Sequence, residues 1–194
     1  MADSQGSTRS GTLGTIFLDR DGVLNEKMPE GSYVTRWSEF RLLPGVPEAI
    51  ARLNRAGIRV IVVSNQRGIA LGLYSAANVE AIQAALQDLL RGYGGHIDAF
   101  YFCPHDKQSC RCRKPLPGMF ESAKRDFPDI EASESVMVGD SLSDIEFGQR
   151  LGMRTIFIEG DATRHKPGAG AASERADLRF GSLAGAVAAL LSEN

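Results

Sequence analysis

Gly14-Thr15-Ile16-Phe17-Leu18-Asp19-Arg20-Asp21-Gly22-Val23 sets an apolar, strand-like run directly against two carboxylates and a glycine. A strand repeats every two residues, so Asp19 and Asp21 can face the same way, while Gly22 lets the backbone turn sharply beyond them. Carboxylates are costly to place at the end of a buried strand, which points to a site and not to a core. Side by side they can hold a hard cation such as Mg²⁺ through oxygen. One can attack a phosphorus while the other handles a proton. Asp21-Gly22 also reads as a plain turn, so this stretch alone leaves both readings open.

Three further segments extend the pattern. Val60-Ile61-Val62-Val63 reads as a fully buried strand and runs into Ser64-Asn65-Gln66, a hydroxyl and two amides able to grip a phosphate. Arg113-Lys114-Pro115 supplies fixed positive charge, with Pro115 pushing Lys114 toward an extended conformation. Ser135-Val136-Met137-Val138 leads into Gly139-Asp140-Ser141-Leu142-Ser143-Asp144, two more carboxylates after an apolar strand. Separately these read as a helix cap, a solvated lysine and a turn. Together, in this order after successive strands, they favour a site.

Strand-like runs at 14–18, 59–63, 98–102, 135–138 and 154–158 alternate with helix-like stretches, which predicts an α/β fold with a doubly wound parallel sheet. Helices are expected over 47–56, from a Ser75 cap to about 91, over 118–127, from a Ser141 or Ser143 cap to Gly152, and over 183–191. Ligands of such sheets sit beyond the carboxyl ends of the strands, where Asp19, Ser64 and Asp140 fall. Residues 25–43 form a loop-rich excursion whose Trp37 and Phe40 read as core anchors. Neither this span nor the one after the second strand has room for a large cap domain, so the site should be partly open.

The chain has 194 residues, which fits a polar tail over 1–11 and a single domain over 12–194. Twenty-two basic against 24 acidic residues give a formal net charge of −2, with no basic stripe interleaved with aromatics, so no nucleic-acid partner is expected. No run is long and apolar enough for a membrane span, and the first residues lack an apolar signal core. These features predict a cytoplasmic monomer acting on a small molecule.

All three cysteines fall within Cys103-Pro104-His105-Asp106-Lys107-Gln108-Ser109-Cys110-Arg111-Cys112. Cys103, His105, Cys110 and Cys112 satisfy the tetrahedral, sulfur-rich preference of Zn²⁺ and leave no open position, so the zinc would be structural. Disulfide pairing is the alternative, but three cysteines cannot all pair within one chain. His96 and His165 read as ordinary surface or loop residues. Because Cys112 is followed at once by Arg113 and Lys114, the metal would staple the loop that presents the phosphate-binding charge.

The four segments resemble the motifs of the haloacid dehalogenase superfamily of phosphotransferases, over residues 14 to about 160. The resemblance implies Asp19 as nucleophile and Asp21 as general acid and base. Ser64 and Lys114 would hold the phosphoryl group. Mg²⁺ would be held by Asp19, Asp140 and the backbone carbonyl of Asp21. The Cys-x-His and Cys-x-Cys pairs leading into Arg-Lys-Pro narrow the resemblance to the D-glycero-D-manno-heptose 1,7-bisphosphate 7-phosphatases and the related histidinol-phosphatases. Asp19-Arg20-Asp21-Gly22-Val23-Leu24-Asn25, Tyr33-Val34 after Gly31, and Asn65-Gln66-Arg67-Gly68-Ile69-Ala70-Leu71-Gly72 look more like the heptose enzymes. Two features depart from them: only four residues separate His105 from Cys110, closer to the histidinol-phosphatase loop, and Ser141 replaces a basic residue found in some heptose enzymes. The implied activity is Mg²⁺-dependent hydrolysis of a phosphorylated sugar at its 7-phosphate. Tyr33, Asn65, Gln66, Arg67 and Arg113 are the expected substrate contacts. Histidinol phosphate is the rival substrate, and a zinc-loop binding module without catalysis is the rival of another class.

Overall fold

Runs of β-branched and apolar residues bounded by turn signals give six parallel strands, and the stretches between them fold as helices. The computed structural model describes residues 13–29, 31–164 and 167–193. The expected tail over 1–11 and His165 lie outside them. In chain order the elements are β1 (Thr15–Leu18), α1 (Val46–Arg55), β2 (Arg59–Asn65), α2 (Ala76–Gly92), β3 (Ala99–Cys103) and α3 (Gly118–Asp126). They continue with β4 (Ser135–Gly139), α4 (Leu142–Leu151), β5 (Arg154–Ile158), α5 (Ala169–Arg175), β6 (Leu178–Phe180) and α6 (Leu183–Ser192). The sheet order is β3-β2-β1-β4-β5-β6, with every pair parallel. Winding therefore proceeds outward in both directions from β1 and β4, and the gap between them is the switch point at which such sheets bind ligands.

Alternation along the strands divides the core into two layers. Ile16, Leu18, Val60, Val62, Val136 and Val138 pack under α1, α2 and α6, whereas Phe17, Ile61, Val63 and Met137 pack under α3 and α4. Both faces of the central strands are covered, which is why they read as unbroken apolar runs. Ile50 and Leu53 of α1 are fully buried. Truncating either to alanine should cost about 2–5 kcal/mol, the usual range for such a change in a core.

The helix signals act as expected. Ser75 and Ser141 each close a capping box, and Gly152 ends α4 in the left-handed region at φ 79°. Trp37 begins a 3₁₀ turn and stacks on Phe40 at 5.1 Å between ring centroids, anchoring the 25–43 excursion on the core. That excursion folds back on the chain just after β1 through bridges of Asn25 to Asp21 and to Leu42. Among the described residues neither span contains an inserted cap domain. The structure differs from the expectation in three places. β2 runs on to Asn65, so Ser64 and Asn65 lie in the strand, opposite Phe102 and Cys103. α5 was not expected, because its Ala-Gly-Ser composition has no apolar period, nor was β6, an edge strand of three residues.

Candidate active site

The carboxyl ends of β1 and β4 deliver Asp19 and Asp140, and the first turn of α4 delivers Asp144. Lys114, from the segment between β3 and α3, enters from the other side. Its ammonium donates to Asp19 Oδ1 at 2.9 Å and to the carbonyl of Val63 at 2.6 Å, and pairs with Asp144 Oδ1 at 2.7 Å. Lys114 is 2% exposed, so three acceptors offset the desolvation of one buried cation. Burial works against its charge, but Asp144 and Asp19 outweigh burial and hold its pKa above the ordinary value. Burial likewise raises Asp19, against the pull of Lys114.

Asp140 is the most perturbed carboxyl with a defined value. Burial, and then the neighbouring Asp19, push it up to about 7. The buried ammonium of Lys27 contacts its Oδ2, while its Oδ1 is buried without a partner. Gly22, at φ 97°, makes this approach possible, since a Cβ there would overlap the Asp140 carboxylate. Oxygens of Asp19, Asp140 and Asp144 all lie within 4.8 Å of one another. Three carboxylates face two ammonium groups, so one negative charge is left over when all are ionised. An unpartnered buried oxygen in an all-oxygen donor set fits a hard divalent cation, whose charge would reverse the upward shift of Asp140. A cavity of about 190 Å³ opens beside this centre, lined in part by Gly22, Lys27, Asp140 and Ile158.

Asp21 sits among donors. Arg20 Nη2 reaches both its oxygens at 2.9 and 3.0 Å, Asn25 Nδ2 donates at 3.0 Å, and Gln66 Nε2 approaches at 3.4 Å. Ser64 Oγ accepts from the same Gln66 amide at 2.6 Å. Asn65 turns to the protein: its Oδ1 accepts from the Lys114 amide at 3.0 Å and its Nδ2 donates to the Lys114 carbonyl at 3.2 Å. The Lys114–Pro115 peptide is cis.

β3 ends at Cys103, and the loop beyond it gathers the sulfur ligands. Cys103 Sγ lies 3.5 Å from Cys110 Sγ and 3.7 Å from His105 Nδ1, and His105 Nδ1 lies 3.2 Å from Cys112 Sγ. No disulfide joins the cysteines, and 3.5 Å is far beyond a bond of about 2.05 Å. These separations approach the edge of about 3.8 Å that a tetrahedron with 2.3 Å zinc–sulfur bonds would have. Burial and the adjacent Cys103 and Cys110 push the Cys112 thiol up to about 12, whereas at Cys110 burial is outweighed by the Arg113 amide and the neighbouring thiols, which lower its pKa. In the same loop Asp106 binds Arg67 Nε at 2.5 Å, and that contact holds the Asp106 carboxyl below its usual range. Arg113 lies close enough to add to this effect, and its Nη1 is buried without a partner. Tyr33 packs on Tyr74 at 5.7 Å.

A HAD-hydrolase-like family model matches residues 111–186. D-glycero-alpha-D-manno-heptose-1,7-bisphosphate 7-phosphatase of Mycobacterium bovis is 43% identical over 74% of this chain and 75% of its own length. D-glycero-beta-D-manno-heptose-1,7-bisphosphate 7-phosphatase of Pseudomonas aeruginosa is 36% identical over 91% of this chain and 97% of its own. The chain belongs to the heptose 1,7-bisphosphate 7-phosphatase family. The structure of the family member from B. bronchiseptica, complexed with magnesium and phosphate, superposes with a TM-score of 0.81 at 32% identity, covering 93% of this chain and 99% of that one. The six-stranded parallel sheet with its helices thus matches the fold of that phosphatase structure. Family members named for both the alpha and the beta anomer are among the relatives, so membership leaves the anomer open.

The structure brings Asp19, Asp140 and Lys114 together, links Asp21 to Ser64 through Gln66, and sets Arg67 and Arg113 beside Asp106 of the cysteine loop, with Tyr33 near Arg67. Sequence reasoning missed Lys27, Tyr74 and Asp106, and left Asp144 without a role. Asp144 was signalled by its place four residues after Asp140; Lys27 stands in an irregular loop, where neither periodicity nor motif marks a residue.

Proposed function

We propose that this chain is a Mg²⁺-dependent phosphomonoesterase that removes the 7-phosphate of D-glycero-D-manno-heptose 1,7-bisphosphate through an aspartyl-phosphate intermediate. The observation that carries this is the centre at the switch point: Lys114 joins Asp19 to Asp144, beside an unpartnered, buried Asp140 oxygen. A docking module has no use for such a charge cluster. Residues 12–194 act as one phosphatase domain, as a monomer in the cytoplasm. Among the described residues no helix is long and apolar enough to cross a membrane.

Asp19 and Asp140, with the carbonyl of Asp21, would hold Mg²⁺, which when bound neutralises phosphoryl charge and orients the phosphate. An Asp19 carboxylate oxygen attacks phosphorus while the bond from phosphorus to the sugar oxygen breaks, and Asp21 gives that oxygen a proton. Asp21 then takes a proton from water as the water attacks phosphorus and the bond to Asp19 breaks. Lys114 and the Ser64 hydroxyl stabilise charge on the equatorial oxygens. Asn65 holds the Lys114 backbone in place. Arg113, with its unpaired buried nitrogen, reads the second phosphate, and Arg67 and Tyr33 line the same flank. Cys103, His105, Cys110 and Cys112 hold a structural Zn²⁺ that braces this flank.

The test is phosphate release with and without Mg²⁺ from the alpha and beta heptose 1,7-bisphosphates and from histidinol phosphate, with the product position assigned by NMR. Higher kcat/KM for a heptose bisphosphate, with the 1-phosphate retained, is the expected result. Faster turnover of histidinol phosphate would overturn the heptose assignment, and no Mg²⁺-dependent release from any of them would overturn the enzyme reading.

A further inference from the structure

Gln66 stands among the expected substrate contacts, yet its side chain has no free face. It is 1% exposed, and each of its polar atoms meets a protein group. Oε1 accepts from the Tyr74 hydroxyl at 2.7 Å. Nε2 donates to Ser64 Oγ at 2.6 Å and points at Asp21 Oδ2 at 3.4 Å. The orientation of the amide follows from its neighbours: turned over, it would set an acceptor oxygen against the Asp21 carboxylate, which when ionised can only accept.

A fixed amide fixes the sense of the hydrogen bonds around it. Tyr74 must donate to Gln66, Gln66 must donate to Ser64, and the Ser64 hydroxyl hydrogen is left to point away, available to an oxygen of a phosphoryl group. The other hydrogen of the same nitrogen faces Asp21. One buried amide therefore spans the hydroxyl assigned to the phosphoryl group and the carboxylate assigned to the proton.

Tyr74 is built to hold that amide still. It immediately precedes Ser75, the N-cap of α2, so its backbone is tied to the start of a 17-residue helix. Its ring lies on Gly68, where any Cβ would overlap it, and packs at a tilt against Tyr33 with 53° between the ring planes. Tyr74 is 8% exposed, and burial keeps its hydroxyl protonated and hence a donor, with a pKa of about 12.

We infer that Gln66, locked by Tyr74, is a positioning residue that makes Ser64 a hydrogen-bond donor to the phosphoryl group and holds Asp21 in line, and that it does not read the sugar. The inference rests on the proposed phosphatase mechanism. It makes a kinetic distinction, because an interaction that orders the reacting groups lowers kcat when lost, whereas a contact felt equally by bound substrate and transition state raises KM.

The experiment compares wild type, Tyr74→Phe, Gln66→Ala and the double variant in Mg²⁺, with heptose bisphosphate and with a simple alkyl phosphate, whose alcohol, like that of the sugar, needs a proton in order to leave. Tyr74→Phe removes one hydroxyl and should lower kcat about tenfold, with KM changed less than about threefold. Gln66→Ala should lower kcat further, with KM again within about threefold, and by the same factor on both substrates, since neither loss concerns the sugar. The double variant should be no slower than Gln66→Ala, because the tyrosine acts only through the amide. A KM rise with kcat intact, a loss confined to the heptose substrate, or multiplicative losses in the double variant would each overturn the inference while leaving the phosphatase reading in place. A wild-type protein that releases no phosphate overturns that reading, and this inference with it. Tyr74→Phe is the mildest of the variants, so if Gln66→Ala fails to fold, the kcat and KM of Tyr74→Phe on the two substrates still decide.

Discussion

Among the described residues two clusters are suited to metals, and they are built on opposite principles. The first gathers carboxylate oxygens at the middle of the sheet, under a net negative charge that two buried lysines nearly balance. The second gathers three sulfurs and an imidazole in a loop beyond β3, an edge strand. Hard oxygen ligands around an unfilled valence suit an exchangeable cation that takes part in chemistry. Soft ligands that complete a tetrahedron suit one that stays. On the proposed roles reactivity would be separated from bracing, and Lys114, two residues beyond Cys112, is where the two clusters meet.

Breaking the oxygen cluster should have the largest effect. Asp19→Asn is nearly isosteric and removes the nucleophile, so Mg²⁺-dependent turnover should fall by about a thousandfold or more, while zinc content stays at about one per chain. Activity above a few per cent of wild type would remove Asp19 from its role. Breaking the sulfur cluster should act on stability first. Cys110→Ala should lose the zinc by elemental analysis and lower Tm by about 4–8 °C, as a loss of about 2 kcal/mol does in a chain of this size. Its kcat should fall less, because Asn65 still holds the Lys114 backbone. Unchanged melting would end the structural role.

At the seam, Arg113→Ala should lower kcat/KM for the bisphosphate about tenfold or more beyond its effect on a monophosphate, the value of one charge-assisted contact of about 1.5–3 kcal/mol. Equal losses would show that Arg113 reads no second phosphate. The smallest effect concerns protons at the oxygen cluster. Asp140 titrates near 7 in the fold, against an ordinary 3.8, so the stability its bound proton confers is full below 3.8 and is lost as pH rises through 7. Mg²⁺ must displace that proton at pH 6 but not at pH 8. The rise in Tm on adding Mg²⁺ to desalted protein should therefore be about 3–5 °C larger at pH 8. Equal rises at the two pH values would mean that Asp140 is not where proton and metal compete.

The contrast between the clusters also explains what could be read from the sequence. Strands β1, β2, β4 and β5 were legible because burial on both faces demands unbroken apolar runs, β3 was legible by its aromatic run although it is a half-buried edge strand, and Ser75, Ser141 and Gly152 mark helix ends by chemistry specific to those positions. The sulfur ligands were legible because they sit within ten residues of one another. The oxygen cluster was legible only where its members follow strands. Lys27 reaches Asp140 across 113 positions from an irregular loop, and no local pattern records such a contact. Asn65 and Gln66 were visible as polar residues after an apolar run. That their amides turn inward depends on Lys114 and Tyr74, partners that only the folded chain supplies. β6 and α5 escaped because a short, half-exposed edge strand and an alanine-rich helix leave little hydrophobic signature.

The reciprocal hydrogen bonds between the Asn65 amide and the Lys114 backbone fix the lysine to β2 independently of how the chain arrives there. Everything between Cys103 and Arg113 is in effect a cassette, spliced between an anchored strand end and an anchored lysine. On the proposed mechanism, its length and tip would be open to exchange for ones that recognise a different second half of a substrate, while Lys114 keeps its hold on β2.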